Sequence, residues 1–428
     1  MQVAKKAFGA ISRGVGFYTR QERDWKVTVV RTNSTMFFYR LVLPYLSIYT
    51  MALGATGTQL GIVNSVGMGV AGIVGPLSGW LIDKIGVKRI YLIGIVILAG
   101  AYLVYGLAQS WAIIIVAMVA YWLGNNTSIQ GCSVICGNCL KSEERATGMS
   151  ICETFGMGLL GLAAPMVGAW LVTAFGGVNV EGIRPLFYVC LAGVVATFFL
   201  ILTQLSNRRW GNTREAGFGF FQGFSQVFKQ GRNLKRWLII ATLTGMEMGV
   251  VTPFIQPFAH EFKGADQMVL GAMVTASALV PLTMGILFGR LSDKIGRKKV
   301  IYITIPLVWA SYLMLIFAPN AGFLIVSGAF QGFFMIAGII VGAMGRELVP
   351  PEQMGRWMGV LGLCRMGFAA ASVYLAGIIW DKVGPQYVFL AIIALDLIRI
   401  PLLMGMPETL GSRMGTEQLL DPSASDNL

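Results

Sequence analysis

Residues 79–89 read Gly-Trp-Leu-Ile-Asp-Lys-Ile-Gly-Val-Lys-Arg, a short charged loop between two long apolar runs. Residues 289–299 read Gly-Arg-Leu-Ser-Asp-Lys-Ile-Gly-Arg-Lys-Lys, so the same polar pattern recurs in register 210 residues further along the chain. Chance similarity between hydrophobic segments does not supply matching glycine, acidic and basic positions. The chain is therefore predicted to consist of two related halves.

The composition indicates an integral membrane protein. Of the 428 residues, 55% are hydrophobic and only 12% are charged, which is more apolar surface than a soluble core can bury. The net charge of +13 does not indicate nucleic-acid binding, because the basic residues lie in alternate loops and not on one soluble face with interleaved aromatics.

The sequence contains twelve apolar runs, each close to the ~20 residues that a helix needs to cross the ~30 Å hydrocarbon layer. The predicted spans are residues 35–53, 57–81, 90–108, 111–139, 146–175, 185–205, 237–258, 268–291, 300–317, 322–345, 357–380 and 386–406. This predicts an all-α membrane protein with a tail at residues 1–34, a six-helix bundle at 35–205, a linker at 206–236, a second six-helix bundle at 237–406 and a tail at 407–428.

The basic residues predict the orientation in the membrane. Of the 33 lysines and arginines, 27 lie in the two tails, the linker and the loops on the same side as these segments. The opposite loops hold only Arg184, Lys263 and Lys382. Positive charge is retained on the cytoplasmic side, so we expect both termini to be cytoplasmic and the protein to lie in the cell membrane.

The repeated loop, G-x-L-x-D-K-x-G-x-K-[RK], resembles the loop between the second and third helices of major facilitator superfamily transporters and its echo between the eighth and ninth. The resemblance extends from about residue 35 to about residue 409. It implies two pseudo-symmetric six-helix bundles with a substrate site between them at mid-membrane, and transport of a small solute by alternating access. It also implies no enzymatic activity and no cofactor, and we expect a monomer whose partners are the substrate, a coupling ion such as the proton, and the bilayer.

In that family the loop latches one half onto the other in one transport state. Physically, the first glycine of each copy allows close helix approach, the second allows a tight turn, and the aspartate can dock on a facing helix N-terminus. The expected latch residues are Gly79, Asp83, Gly86 and Arg89 in the first copy and Gly289, Asp293, Gly296 and Lys299 in the second. Val87 replaces the usual basic residue, so the first latch is expected to be the weaker.

Charged residues inside the spans are the main functional candidates, because each costs at least ~2.5–3.5 kcal/mol near the bilayer centre without a partner or a wet cavity. Arg40 lies in the first span, and residues 40–61 are similar to the first-helix pattern of the anion:cation symporter branch, in which such an arginine contributes to organic-anion binding. We interpret Arg40, together with Arg365, as a binding site for an organic anion. The alternative is a structural bridge from Arg40 to Glu153 or Glu247.

Buried carboxylates suit proton coupling, and Glu247 is the first candidate and Glu153 the second. For each, a structural salt bridge is the alternative. Asp396 and Arg399 are three residues apart on one helical face and are expected to pair with each other as a structural feature.

Amides within the spans are candidate substrate contacts, because they are costly facing lipid. They are Asn125, Asn126, Gln130 and Gln331. The alternative function is a proton-driven exporter of drugs or lipids, which glycines and Pro165 in the fifth span favour. Thr127 disfavours it, because exporters of the family usually have an arginine at that position.

No metal site is predicted, since helices in membranes use cysteine mainly as a small packing residue. An enzyme would need a nucleophile with its base or a metal cluster at the membrane surface, and the sequence, with one histidine, offers neither.

Overall fold

The computed structural model describes residues 17–140, 159–207, 231–349 and 354–408, and within them all side chains except those of 75–84, 128–131, 133–134, 137–138, 159, 231–232 and 354–356. These residues are helical and contain no strand. The helices are α1 (Arg23–Val42), α2 (Leu46–Ala52), α3 (Gly57–Ile85), α4 (Val87–Leu107), α5 (Trp111–Cys139), α6 (Leu159–Ala174), α7 (Val180–Gln204), α8 (Gly231–Lys263), α9 (Gln267–Ile295), α10 (Arg297–Ile316), α11 (Ala321–Glu347), α12 (Met354–Lys382) and α13 (Pro385–Met404).

Each predicted span corresponds to helix in this structure. Over the described residues, nine helices are long and apolar enough to cross a membrane. Two more spans, the fourth and fifth, show shorter described apolar helices, Trp111–Thr127 and Leu160–Ala174, and the start of the fifth lies outside the described residues. The first span is divided into α1 and α2 at Pro44, because proline has no N–H to donate and its ring clashes with the preceding turn.

The first helix begins twelve residues before the span predicted from residue 35. Its first turn carries Asp24, which is buried and accepts a hydrogen bond of 2.9 Å from the backbone N–H of Ser206 and another from the Ser206 hydroxyl. The polar start of α1 is thus joined to the end of α7, and the predicted tail is helical from Arg23 onward.

The repeated loops have the geometry that their glycines predict. In each copy a single residue separates two helices, Gly86 between α3 and α4 and Gly296 between α9 and α10. Their φ angles are 87° and 109°, a region that residues with a Cβ rarely adopt. The expectation of two tight glycine turns is confirmed.

Helices α1–α7 form one half and α8–α13 the other. The halves meet along α3 with α12, α6 with α9, and α2 with α8. Glycines make this approach close: a Cβ at Gly61 would lie 2.8 Å from the backbone oxygen of Val373, and one at Gly271 would lie 2.8 Å from that of Pro165. Backbone therefore packs against backbone across the seam between the halves.

Candidate functional site

Arg40 projects from the face of α1 that the packing of its own half leaves open. Its neighbour Phe38 packs on α7, with its carbonyl accepting a bond from a cysteine thiol there at 3.4 Å. Tyr39 stacks on a ring of α5 with centroids 5.7 Å apart, and Leu41 packs on α6. Successive side chains are ~100° apart around a helix, so Arg40, two residues after Phe38, lies on the side of α1 that faces away from α7.

The Arg40 guanidinium is half-buried and has no anionic partner in the part of the chain that the structure describes. Among the residues described, no carboxylate lies within ion-pair distance of it and no hydrogen bond reaches it. The predicted alternative of a bridge to Glu247 is not formed, because Glu247 has another arginine as partner. Glu153 lies outside the described residues.

Arg365 lies on α12 where that helix meets both α8 and α3. A Cβ at Gly245 of α8 would lie 2.8 Å from the Arg365 carbonyl oxygen, and the next residue, Met366, packs on Gly72 of α3. The Arg365 side chain is half-buried, and its Nε is buried without a hydrogen-bond partner. It is therefore a second arginine at the seam between the halves with no anion paired to it in the described structure.

Glu247 belongs to a buried charge network in the second half. Its Oε2 accepts a bond of 3.0 Å from Nη1 of Arg399, and its Oε1 accepts one of 3.0 Å from the Tyr312 hydroxyl. Nη2 of Arg399 lies 2.9 Å from Oδ1 of Asp396, whose Oδ2 accepts a bond of 2.8 Å from the Trp309 indole. The pairing of Asp396 with Arg399 is confirmed; the links to Glu247, Tyr312 and Trp309 were not predicted.

This network carries two carboxylates and one guanidinium. Glu247 and Asp396 are each 1% exposed and Arg399 is 8% exposed, so the network, whose formal charge is −1 with both carboxylates ionised, is buried. A cavity of about 20 Å³ adjoins Glu247, Arg399 and Thr244 and is otherwise lined by apolar residues of α8, α10, α11 and α13. That volume is about what one water molecule needs. Glu247 thus faces the interior of its own half.

The predicted amide contacts divide into three groups. Asn126 donates a bond of 3.0 Å from its amide nitrogen to the Trp122 carbonyl of its own helix, and its role as a substrate contact stays a prediction. Asn125 on α5 and Gln331 on α11 are half-buried, and no side-chain hydrogen bond is found for them among the described residues. The side chain of Gln130 lies outside the description.

The second charged loop binds its own half in this structure. Arg297 forms ion pairs with Asp293 at 2.8 Å and with Glu347 at 2.9 Å, and its backbone N–H donates to Glu408 at 2.8 Å. No described atom lies within 4 Å of a Cβ placed at Gly289, so the close helix approach expected there stays a prediction. Among the described residues, the side-chain hydrogen bonds that cross the seam at Asp381, Gln267 and Thr275 lie toward the opposite end of the bundle.

The remaining latch residues divide between the two loops. Arg89 and Lys299 are exposed, whereas nothing beyond the backbone is described at Gly79 and Asp83. Their latch role stays a prediction.

The model of the Major Facilitator Superfamily matches residues 32–246 and 237–410. The chain belongs to the major facilitator superfamily. It is a multi-pass membrane transporter of the secondary type and not an enzyme, as the sequence analysis predicted.

Curated relatives include resistance transporters. The chain is 26% identical over 347 residues to the multidrug resistance protein MdtG of Dickeya zeae, covering 77% of this chain and 79% of the relative. It is 24% identical over 148 residues to the class E tetracycline resistance protein of Escherichia coli, which spans 34% of this chain and only 36% of the relative.

Solved structures share the fold. The nucleoside transporter NupG superimposes with a TM-score of 0.71 at 16% identity, covering 89% of this chain and 98% of that one. The human organic anion transporter MFSD10 (TETRAN) superimposes with a TM-score of 0.62 at 17% identity, covering 89% of this chain and 99% of that one. These superpositions show that the chain shares its fold with both transporters. At 16% and 17% identity they carry no information on the substrate of this chain.

Proposed function

We propose that this superfamily member transports a small organic anion by alternating access and couples that transport to protons. One observation carries the proposal: Arg40, in the first predicted span, and Arg365, in α12, have no anionic partner among the described residues. An uncompensated guanidinium in a membrane is costly, and a bound carboxylate or phosphate removes that cost through two parallel hydrogen bonds. The half-buried amides of Asn125 and Gln331 supply further polar contacts.

Binding by the purified protein tests the anion site. We expect benzoate, dicarboxylates or inorganic phosphate to raise the melting temperature, because a ligand that binds only the folded state stabilises it. Arg40→Gln should weaken the binding of the responsive anion about 10- to 100-fold, the range of a lost charged hydrogen bond, while Arg40→Lys retains part of it.

Arg184→Gln is the matched control, because Arg184 donates to the Ala108 carbonyl at 2.7 Å at the end of the bundle. It should leave anion binding as it is. The proposal fails if Arg40→Gln and Arg365→Gln both bind every anion as the unaltered protein does.

Proton coupling is proposed at Glu247, with Glu153 as the second candidate. Glu247 is a buried carboxylate beside a cavity large enough for one water molecule. Its carboxylate accepts hydrogen bonds from Tyr312 of α10 and Arg399 of α13, so a change in its charge affects the contacts with both helices. In proteoliposomes, Glu247→Gln should abolish the stimulation of uptake by a pH gradient while exchange of labelled for unlabelled substrate continues. Asp396→Asn, which removes the other carboxylate of the network, is the control. If both variants lose the stimulation by a pH gradient equally, the network has only a structural role.

Export of amphipathic drugs is the second candidate function, and the names of the curated relatives favour it. Efflux of a cationic dye from cells separates the two. A drug exporter expels the dye. In a drug exporter, Arg40→Gln leaves dye efflux unchanged or raises it, because a cation that repels the dye is removed. An anion transporter does not expel the dye, with or without this substitution.

The orientation and the latches complete the proposal. The charge bias of the loops supports cytoplasmic termini in the cell membrane, which puts the repeated loops on the cytoplasmic side. The hydrogen bonds between the halves at the starts of α3 and α9 lie away from the repeated loops, which in the proposed orientation supports a state closed to the outside. Asp83 and Asp293 are then proposed to engage the facing half when the cytoplasmic side closes.

A further inference from the structure

The seam between the halves ends in a carboxylate that crosses it. Asp381, at the end of α12, accepts a bond of 2.8 Å from the backbone N–H of Gly57 and one of 2.7 Å from that of Thr58, the first two residues of α3. The Thr58 hydroxyl also donates to the Gly377 carbonyl of α12 at 3.3 Å. Asp381 therefore binds the N-terminus of a helix that belongs to the other half of the protein.

The start of α3 needs this partner. The first N–H groups of a helix have no acceptor within the helix. Thr56 supplies one, since its hydroxyl accepts from the N–H of Gln59 at 3.3 Å, and Asp381 supplies the acceptors for the two N–H groups before it. A carboxylate at this position also interacts favourably with the positive end of the helix dipole.

The internal repeat provides the comparison. Helix α9 begins at Gln267, 210 residues after Gly57, and its N-cap is its own Asp266, whose Oδ1 accepts from the N–H of Val269 at 2.8 Å. Across that second seam the contact is uncharged, with the Gln267 amide donating to the Thr173 hydroxyl at 3.0 Å. Among the described residues, the seam at α3 is joined through a charged group, and the seam at α9 is joined through uncharged groups.

We propose that Asp381 is a gate residue, which stabilises the state in which the two halves are joined at the end of the bundle where α3 begins. In this role its carboxylate binds the Gly57 and Thr58 N–H groups when that end is closed and releases them to water when the end opens. It contacts no substrate and acts only on the ratio of the two conformations. The inference rests on the alternating-access cycle proposed above and is independent of the substrate class.

Distances between spin labels test the gate. Labels at Glu181→Cys and Gln386→Cys, in a variant whose six native cysteines are replaced, report the separation of exposed sites on the two halves at this end. Asp381→Ala should raise the ratio of long to short distances about tenfold, from the loss of two hydrogen bonds to a charged group. Asp381→Asn, which keeps one acceptor and the side-chain size, should give a smaller increase in the same direction.

Asp266→Ala is the matched control, because it removes a helix-capping carboxylate at the same end without crossing the seam. It should leave the distance distribution unchanged. The proposal is overturned if both Asp381 variants keep the unaltered distribution, or if Asp266→Ala shifts it equally. The labels report conformation without any substrate, so a failure of the anion assay does not decide this test.

Discussion

Substitutions in the charge network around Arg399 are predicted to lower the free energy of unfolding by unequal amounts. Arg399→Met leaves the carboxylates of Glu247 and Asp396 facing the same site without a cation, and both are 1% exposed. Removing one partner of a buried ion pair costs about 3–5 kcal/mol, because a charge is left uncompensated. We expect Arg399→Met to lower the free energy of unfolding by about that amount.

Glu247→Gln should cost much less, although it removes the same ion pair. It leaves one carboxylate and one guanidinium, Asp396 and Arg399 at 2.9 Å, and so brings the formal charge of the site to zero. The amide oxygen can still accept from Tyr312. The remaining cost is that of a weakened hydrogen bond, about 0.5–1.5 kcal/mol.

Unfolding in mixed micelles with increasing SDS, followed by tryptophan fluorescence, measures both variants and the double variant. The double variant should be more stable than the sum of the single losses predicts, because the pair is coupled. Arg184→Met controls for the loss of a guanidinium with a carbonyl partner. The reasoning is refuted if Arg399→Met costs no more than Glu247→Gln, since the site would then be hydrated enough to solvate both carboxylates.

Three further predictions concern stability, all measured by the same unfolding assay. Gly328→Ala should lower the free energy of unfolding by about 1–3 kcal/mol, because its Cβ would lie 2.8 Å from Cα of Met273. Gly100→Ala, with open space around it, should raise it by about 0.5–1 kcal/mol. Equal effects of the two substitutions would contradict the close contact at Gly328. Asp24→Ala should cost about 1.5–3 kcal/mol through the lost bonds to the end of α7, and a neutral result would show that α1 does not depend on them. Arg297→Gln should cost less than about 1 kcal/mol and nothing at high salt, as expected for ion pairs near water; a salt-independent loss would contradict this.

Hydropathy predicted the spans well where the helix lies wholly in hydrocarbon, and less well at the water boundary. The predicted fourth span, residues 111–139, has the bounds of α5. Helix α8 already extends over Gly231, the first described residue before the predicted start at 237, and α1 begins at Arg23. Polar residues at the membrane surface extend a helix without contributing apolar length, so the apolar pattern marks only the inner part of each helix.

The site was predictable only where partners are close in the sequence. The spacing of Asp396 and Arg399 indicates a pair on one helical face, and the structure confirms it. Nothing in the sequence joins Arg399 to Glu247, 152 residues away, since Arg40 was an equally suitable partner on charge alone. Asp381 gave no signal, because its partners are backbone N–H groups and these are the same in every residue.

The glycine contacts across the seam have a consequence for the speed of the conformational cycle. Where Gly61 faces the Val373 carbonyl and Gly271 faces that of Pro165, the nearest atoms of the other half are main-chain oxygens. Parting the halves at these points therefore requires no rotamer change and no withdrawal of a knob from a hole. At these two contacts the opposing surfaces can separate as rigid bodies, and their rejoining needs no search among side-chain conformations.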